Sequence, residues 1–294
     1  MLKFVVSDKR SKNNTDDEND LFFSVRGAEN VHIYFWIAKD ICWLFNSKIG
    51  LFFGSCSLMW LGVLLYYSIL HGNNEESYMV VARFWWLLGN FIWMTSNILY
   101  NDDRYSYQAR ISLMIGIIMV IIYFIWFIKL EYYKTNEKLR QIYDNVGLIP
   151  KFQIFDTWRR YELLHILFWL IKDYSWCSGD QVFWFVGAIP TLIISIDFIV
   201  ISHKNNKIIV DLSHYIAESI WLCSNLTWAF SELFTLDSDK VIPLNSKKMN
   251  GRAIATYIIL FSWLPIIILY LICFIKWTIK PKSTSETPVF NPLL

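Results

Sequence analysis

Two stretches of this chain, His32–Trp43 and His165–Trp176, share the pattern His-Ile-x-Phe-Trp-x-x-Lys-Asp-x-x-Trp, 133 residues apart. Each sets a lysine and an aspartate inside apolar sequence. Such residues are tolerated in a greasy segment only when turned away from lipid and paired, so the motif limits what each stretch can become. Read as helices, His32, Trp36, Lys39, Asp40 and Trp43 recur at i, i+4, i+7, i+8 and i+11, close to one face. The same spacing puts His165, Trp169, Lys172, Asp173 and Trp176 on one face of a second helix.

The repetition extends beyond the motif. Gly54 and Gly187 are also 133 residues apart. Trp86-x-x-x-Asn90-x-x-Trp93-x-x-Ser96 matches Trp221-x-x-x-Asn225-x-x-Trp228-x-x-Ser231 at an offset of 135, and Asp102 and Asp237 keep that offset. Arg110 and Arg252 follow, 142 apart after a longer loop. Several motifs recurring in one order at near-constant spacing read as a tandem duplication.

The surroundings are those of a membrane protein. The chain is 55% apolar and 18% aromatic, with 18% charged residues, which is too greasy for a soluble domain of this length. Eight segments have the length or apolarity of spans: 29–47, 50–71, 78–100, 108–130, 156–177, 182–203, 211–236 and 252–276. The second, fourth and eighth have charge-free cores. Pro190 and Pro265 should kink the sixth and eighth.

The fold class expected is therefore an all-α polytopic integral membrane protein of eight transmembrane helices in two tandem parallel four-helix repeats. The first repeat occupies 29–130 and the second 156–276. A linker at 131–155 joins them, and polar tails occupy 1–28 and 277–294. Residues 7–20 are polar where a signal peptide would have its apolar core, and the N-terminal tail reads as disordered and cytoplasmic.

Orientation follows from the basic residues. With eight spans, 18 of the 27 lysines and arginines fall on the side of both termini and 7 on the other. If the first and fifth segments fail to cross, the split is 13 to 12 and the bias vanishes. The positive-inside rule thus favours eight crossings with both termini cytoplasmic. Four spans per repeat make the repeats parallel, related by an axis along the membrane normal, as in one class of transporter duplication.

Each charge at mid-membrane costs roughly 2.5–3.5 kcal/mol, so Lys39, Asp40, Lys172 and Asp173 unpaired would cost about 10–14 kcal/mol together. They must pair, and two-fold pseudosymmetry suggests Lys39 with Asp173 and Lys172 with Asp40. Asn90 and Asn225 can donate and accept between them. Trp36, Trp43, Trp93, Trp169 and Trp228 lie deeper than the interfacial belts that tryptophan favours, and Trp176 joins them as the last residue of the second motif. Together these residues read as a ligand or transport core for a small polar or cationic solute, or for protons.

Three positions break the symmetry. Asp197 has Leu64 as its mate, Glu232 has Asn97, and Glu218 has Arg83, with which it could pair. An unmatched acid in a span is a coupling candidate, which singles out Asp197 and Glu232.

Other readings compete. The same network can serve as helix-locking glue with tryptophan packing, or as the site of a membrane-embedded receptor that binds without transporting. Repeat-equivalent His32 and His165 could ligate a haem or a metal. A lysine Schiff base with a retinal-like aldehyde has its pieces in Lys39 or Lys172 and the neighbouring aspartates.

No resident cofactor is expected, however, and soluble-type catalytic signatures are missing, so the reading leans away from an enzyme. The five cysteines show neither zinc spacing nor a disulfide framework. A net charge of +2 gives no basis for nucleic-acid binding. The expected partners are the bilayer and a small molecule or ion.

Overall fold

The structure is a computed structural model, and it describes residues 25–100, 104–132, 158–204, 209–234, 242–244 and 247–279. Most of both tails, nearly all of the linker, Asp102 and Asp237 lie outside those residues; 25–28 and 277–279 of the expected tails belong to the terminal helices. The described chain is helical apart from one short hairpin.

The helices are α1 (Val25–Leu44), α2 (Ile49–Leu70), α3 (Asn74–Tyr100), α4 (Ser106–Tyr132), α5 (Trp158–Ser178), α6 (Gln181–Lys204), α7 (Ile209–Leu233), α8 (Gly251–Phe261) and α9 (Trp263–Ile279). The hairpin, β1 (Ile242–Leu244) and β2 (Lys247–Met249), is antiparallel, with Ile242 opposite Met249. Each of the eight expected segments coincides with a helix, within a few residues at the ends, except that the eighth is divided in two.

That division has a local cause. Proline lacks an N–H, and its ring crowds the carbonyl four residues back. For Pro265 that carbonyl belongs to Phe261, the last residue of α8. Ser262 closes α8, its N–H donating to the Ile259 carbonyl at 3.0 Å and its hydroxyl to the same oxygen at 2.6 Å. Pro190 lies inside α6, which continues through it.

The helices form two layers, for reasons visible in composition. Four stretches are long and apolar enough to cross a membrane: Ile49–Leu70 of α2, Ser106–Trp126 of α4, Gln181–His203 of α6 and Gly251–Ile272 across α8 and α9. These are the outer helices. They expose large apolar side chains along their length, such as Phe52, Met59, Ile118, Ile125, Val186, Ile193, Ile267 and Leu271. A soluble protein does not leave such continuous apolar surface to water, and the four helices mark an integral membrane protein.

Helices α1, α3, α5 and α7 form the inner layer. Among their described residues only Leu99, Tyr100 and Phe230 are large, apolar and exposed. Packing alternates around the ring: α1 on α2, α2 on α3, and so on to α7 on α8, which closes on α1. The polar stripes that keep the inner helices from being apolar enough to qualify as spans are turned to the centre, where lipid does not reach them.

Candidate functional site

The inner helices present two closed rings of four tryptophans, one from each helix per ring. In the first ring, Trp36 meets Trp86 at 4.4 Å between ring centroids, Trp86 meets Trp169 at 5.7 Å, Trp169 meets Trp221 at 4.9 Å, and Trp221 returns to Trp36 at 5.7 Å. The second ring runs Trp43–Trp93 (5.1 Å), Trp93–Trp176 (4.9 Å), Trp176–Trp228 (4.9 Å) and Trp228–Trp43 (5.1 Å). Neighbours in the second ring are edge-to-face, at 80 to 86°, the geometry the aromatic quadrupole favours. Trp43 and Trp176 also stack across that ring, 16° from parallel. On every inner helix the two tryptophans are seven residues apart, so the rings are separated by about 10 Å along the axis.

The charged residues lie between the rings. Lys39 pairs with Asp40 and Lys172 with Asp173, all four 5% exposed or less. This corrects the expected cross-pairing of Lys39 with Asp173 and Lys172 with Asp40. Adjacent Cβ atoms diverge by about 100°, but a lysine stem is long enough to fold its ammonium back onto the next residue's carboxylate. The second oxygen of each aspartate then reaches across.

Asp173 Oδ2 accepts from Trp86 Nε1 at 2.7 Å and from Asn90 Nδ2 at 3.2 Å. Asp40 Oδ2 accepts from Trp221 Nε1 at 2.8 Å and from Asn225 Nδ2 at 3.4 Å. What joins the two halves at the centre is therefore indole and amide to carboxylate. The ammonium groups also face rings: Lys172 Nζ is 4.7 Å from the Trp169 centroid and 5.8 Å from that of Trp176, and Lys39 Nζ is 5.3 Å from Trp43.

These groups line a cavity with room for roughly one water molecule. Its walls include Lys39, Asp40, Asn90, Asp173 and Asn225, with Trp36, Trp43, Trp169 and Trp176. The centre holds two cations and two anions and is neutral overall. It has polar lining and no surplus charge to attract a further ion.

Beyond the rings, the symmetry is partial. Trp36 Nε1 donates to His32 Nε2 at 2.5 Å, and Trp169 Nε1 to His165 Nε2 at 3.2 Å. At the other end Trp43 donates to Asn97 Oδ1 at 3.2 Å, while Trp176 and Trp228 donate to the two oxygens of Glu232 at 2.9 and 2.5 Å. Glu232 thus ties two members of the second ring. Asp197 stands elsewhere: on α6, away from the cavity, it accepts from the Tyr161 hydroxyl at 2.9 Å. Glu218 faces His165, and Arg83 pairs with Glu76. Each histidine of the repeated motif is engaged with its own tryptophan, and among the described residues no group of three or more His, Cys, Asp or Glu is placed to hold a metal.

Sequence reasoning passed over Trp86 and Trp221 as site residues, although both stand in the repeated Trp-x-x-x-Asn pattern. One turn before the asparagine, each puts its N–H beside the amide of that asparagine. Arg252 was also passed over. It donates to the carbonyls of Trp43 (2.8 Å) and Leu44 (3.1 Å) and lies 5.2 Å from the Trp228 ring centroid. It pins the start of α8 to the end of α1, where the helix dipole favours a cation. Arg252→Ala should lower stability by about 2–3 kcal/mol, with Arg252→Lys intermediate because the fork is lost and the charge kept. Unfolding of the three proteins in nanodiscs checks this; wild-type stability in Arg252→Ala would remove the clamp.

No protein family, curated protein or solved structure is detectably similar to the chain.

Proposed function

We propose that this protein is an eight-span membrane protein of two tandem parallel repeats that passes protons, or a polar solute no larger than water, through the Lys/Asp centre between its tryptophan rings. The observation that carries the reading is the size and charge of that centre. A cavity with room for about one water, lined by two carboxylates, an ammonium and two amides, suits proton exchange. An organic solute, a haem or a polyene does not fit between the rings as they stand.

Repeat-related contacts support the duplication. Trp86 to Asp173 corresponds to Trp221 to Asp40, Asn90 to Asp173 corresponds to Asn225 to Asp40, and each histidine receives its own tryptophan. The distribution of lysine and arginine supports eight crossings with cytoplasmic termini. Each carboxylate has one oxygen on its own lysine and the other on a donor of the opposite half. A proton taken up at an aspartate would loosen both the ion pair and the tie to the opposite half, coupling occupancy to the fit of the two halves.

The test is a proton flux. Protein reconstituted in liposomes with an entrapped pH dye should dissipate an imposed pH gradient. The double substitution Lys172→Met/Asp173→Asn, which removes both charges of one pair and keeps an acceptor for Trp86, should abolish that flux in folded protein. Full flux in the double variant would make the centre structural, and no flux in the wild type would remove the reading.

A further inference from the structure

One acid closes the second tryptophan ring from its outer end. Glu232 stands exposed in the last turn of α7, while the two indoles it holds are covered, Trp176 at 6% exposure and Trp228 at 2%. Its two oxygens are divided between them, at 2.9 and 2.5 Å. The carbonyls that end a helix disfavour an acid there. In the first half Asn97, the repeat-mate of Glu232, ties Trp43 with a neutral amide at 3.2 Å. Holding an indole of this ring therefore does not by itself call for a charge.

Trp176 is the partition between this acid and the centre. Its N–H donates to Glu232, and it lines the cavity, with Lys172 Nζ 5.8 Å from its ring centroid. Asp173 stands three residues earlier on α5, about 4.5 Å along the axis, and lines the same cavity.

We propose that Glu232 is the group through which the centre exchanges protons with the solution beyond the second ring, and that a proton on Glu232 frees Trp176 to uncover the cavity. The inference rests on the proton reading above and names the residue that admits the proton at this end.

A carboxylate accepts at both oxygens, whereas the acid spends one of them on its own O–H. Hydronium gives its proton to Glu232 and leaves as water. The acid keeps Trp228, one turn back on its own helix, and lets go of Trp176 on α5. With that indole turned aside, a water in the cavity carries the proton on to Asp173. Glu232 is then a carboxylate again, and Trp176 returns to it. Trp43 has no such release, because the amide of Asn97 does not titrate.

Among the described residues, the groups around Glu232 do not compete for that proton. Gln181 of α6 donates to the Leu233 carbonyl at 2.6 Å, and Arg252 of α8 lies against the Trp228 ring. Lys39 of α1 and Lys172 of α5 are on the inner side of the ring. Asp180, the other described acid at this end, accepts from the Phe183 N–H at 2.9 Å and caps α6.

Two measurements separate this proposal from the reading it rests on. In liposomes Glu232→Gln, which keeps the length and one acceptor, should lower the proton flux at least about tenfold, the loss of one transfer step. Asp180→Asn should keep the flux. In nanodiscs, protein made with fluorotryptophan gives a fluorine resonance for each of its fifteen tryptophans, and that of Trp176 is the one missing in Trp176→Phe. It should move as the pH falls from about 7.5 to about 4, and should stop moving in Glu232→Gln. A full set of dispersed resonances reports that Glu232→Gln is folded, and the wild-type titration stands whether or not it is.

A Trp176 resonance that stays still in the wild type, or moves alike in Glu232→Gln, overturns the inference. So does full flux in folded Glu232→Gln beside an inactive Lys172→Met/Asp173→Asn variant, which leaves the central reading standing. The expected movement without any wild-type flux keeps the release of Trp176 by Glu232 and removes the transport function.

Discussion

Asp173→Ala is expected to be the most damaging single substitution in the inner layer. The carboxylate it removes holds Lys172, which is fully buried, and accepts from Trp86 and Asn90 of the opposite half. The alanine leaves an ammonium without its counter-ion in a site with room for about one water, and two donors without their acceptor. Breaking a buried pair by taking one partner costs about 3–5 kcal/mol, whereas replacing both partners together is often near neutral.

Lys172→Met/Asp173→Asn should therefore recover most of the stability that Asp173→Ala loses. The side-chain carbonyl of the asparagine keeps an acceptor for Trp86, and methionine fills the lysine's volume. Asp40→Ala should lose a similar amount, since Asp40 holds Lys39, Trp221 and Asn225 in the same way. Chemical unfolding in nanodiscs decides the matter. If the double variant is less stable than Asp173→Ala, the two charges do not act as a pair, and the network's energy lies in its neutral hydrogen bonds.

The same residues show what a sequence carries and what it leaves to packing. Lys39, Asp40, Asn90, Asp173 and Asn225 could be gathered from sequence because charge in apolar surroundings and a repeat both point inward, and all five line one cavity. The closed tryptophan rings follow from the seven-residue interval between the indoles of each inner helix, but closure needs the order in which helices meet. Partner choice was not legible. An aspartate beside a lysine says only that both need neutralising, and whether the ammonium folds back or reaches across depends on rotamers and on the indole donor that the opposite helix supplies.

Asp197 shows a related limit. Its lack of a repeat-mate is legible in the sequence, but the Tyr161 hydroxyl that donates to it from α5 carries no mark of its own there. His165 shows the converse. By sequence it is the equal of His32, and its neighbours Thr191 and Glu218 are brought in by α6 and α7.

Gly54 and Gly187 are a second pair that the sequence makes equivalent and the structure separates, and their alanine variants should differ accordingly. At Gly187, α6 rests directly on the backbone of α5 beside the buried lysine. A Cβ there would lie 2.8 Å from Lys172 Cα and 2.9 Å from the Phe168 carbonyl oxygen, and closer still to the Lys172 nitrogen. Backbone inside a helix cannot step aside alone, so α5 and α6 must part along their length, and Lys172 and Asp173 must shift against Trp86.

At Gly54 the nearest atoms belong to the Phe91 ring, with Met94 Cε at 3.2 Å. Both are ends of side chains that can turn. Overpacking costs about 1–3 kcal/mol where side chains can adjust and more where they cannot. Gly187→Ala should then cost about 3 kcal/mol or more, and Gly54→Ala about 1 kcal/mol. The first should also disturb the central cavity, so its proton flux should fall further than its stability alone explains, while Gly54→Ala keeps both. Equal losses from the two variants would mean that α6 can yield at Gly187, and that the close seat of α6 on α5 is not what fixes the position of Lys172.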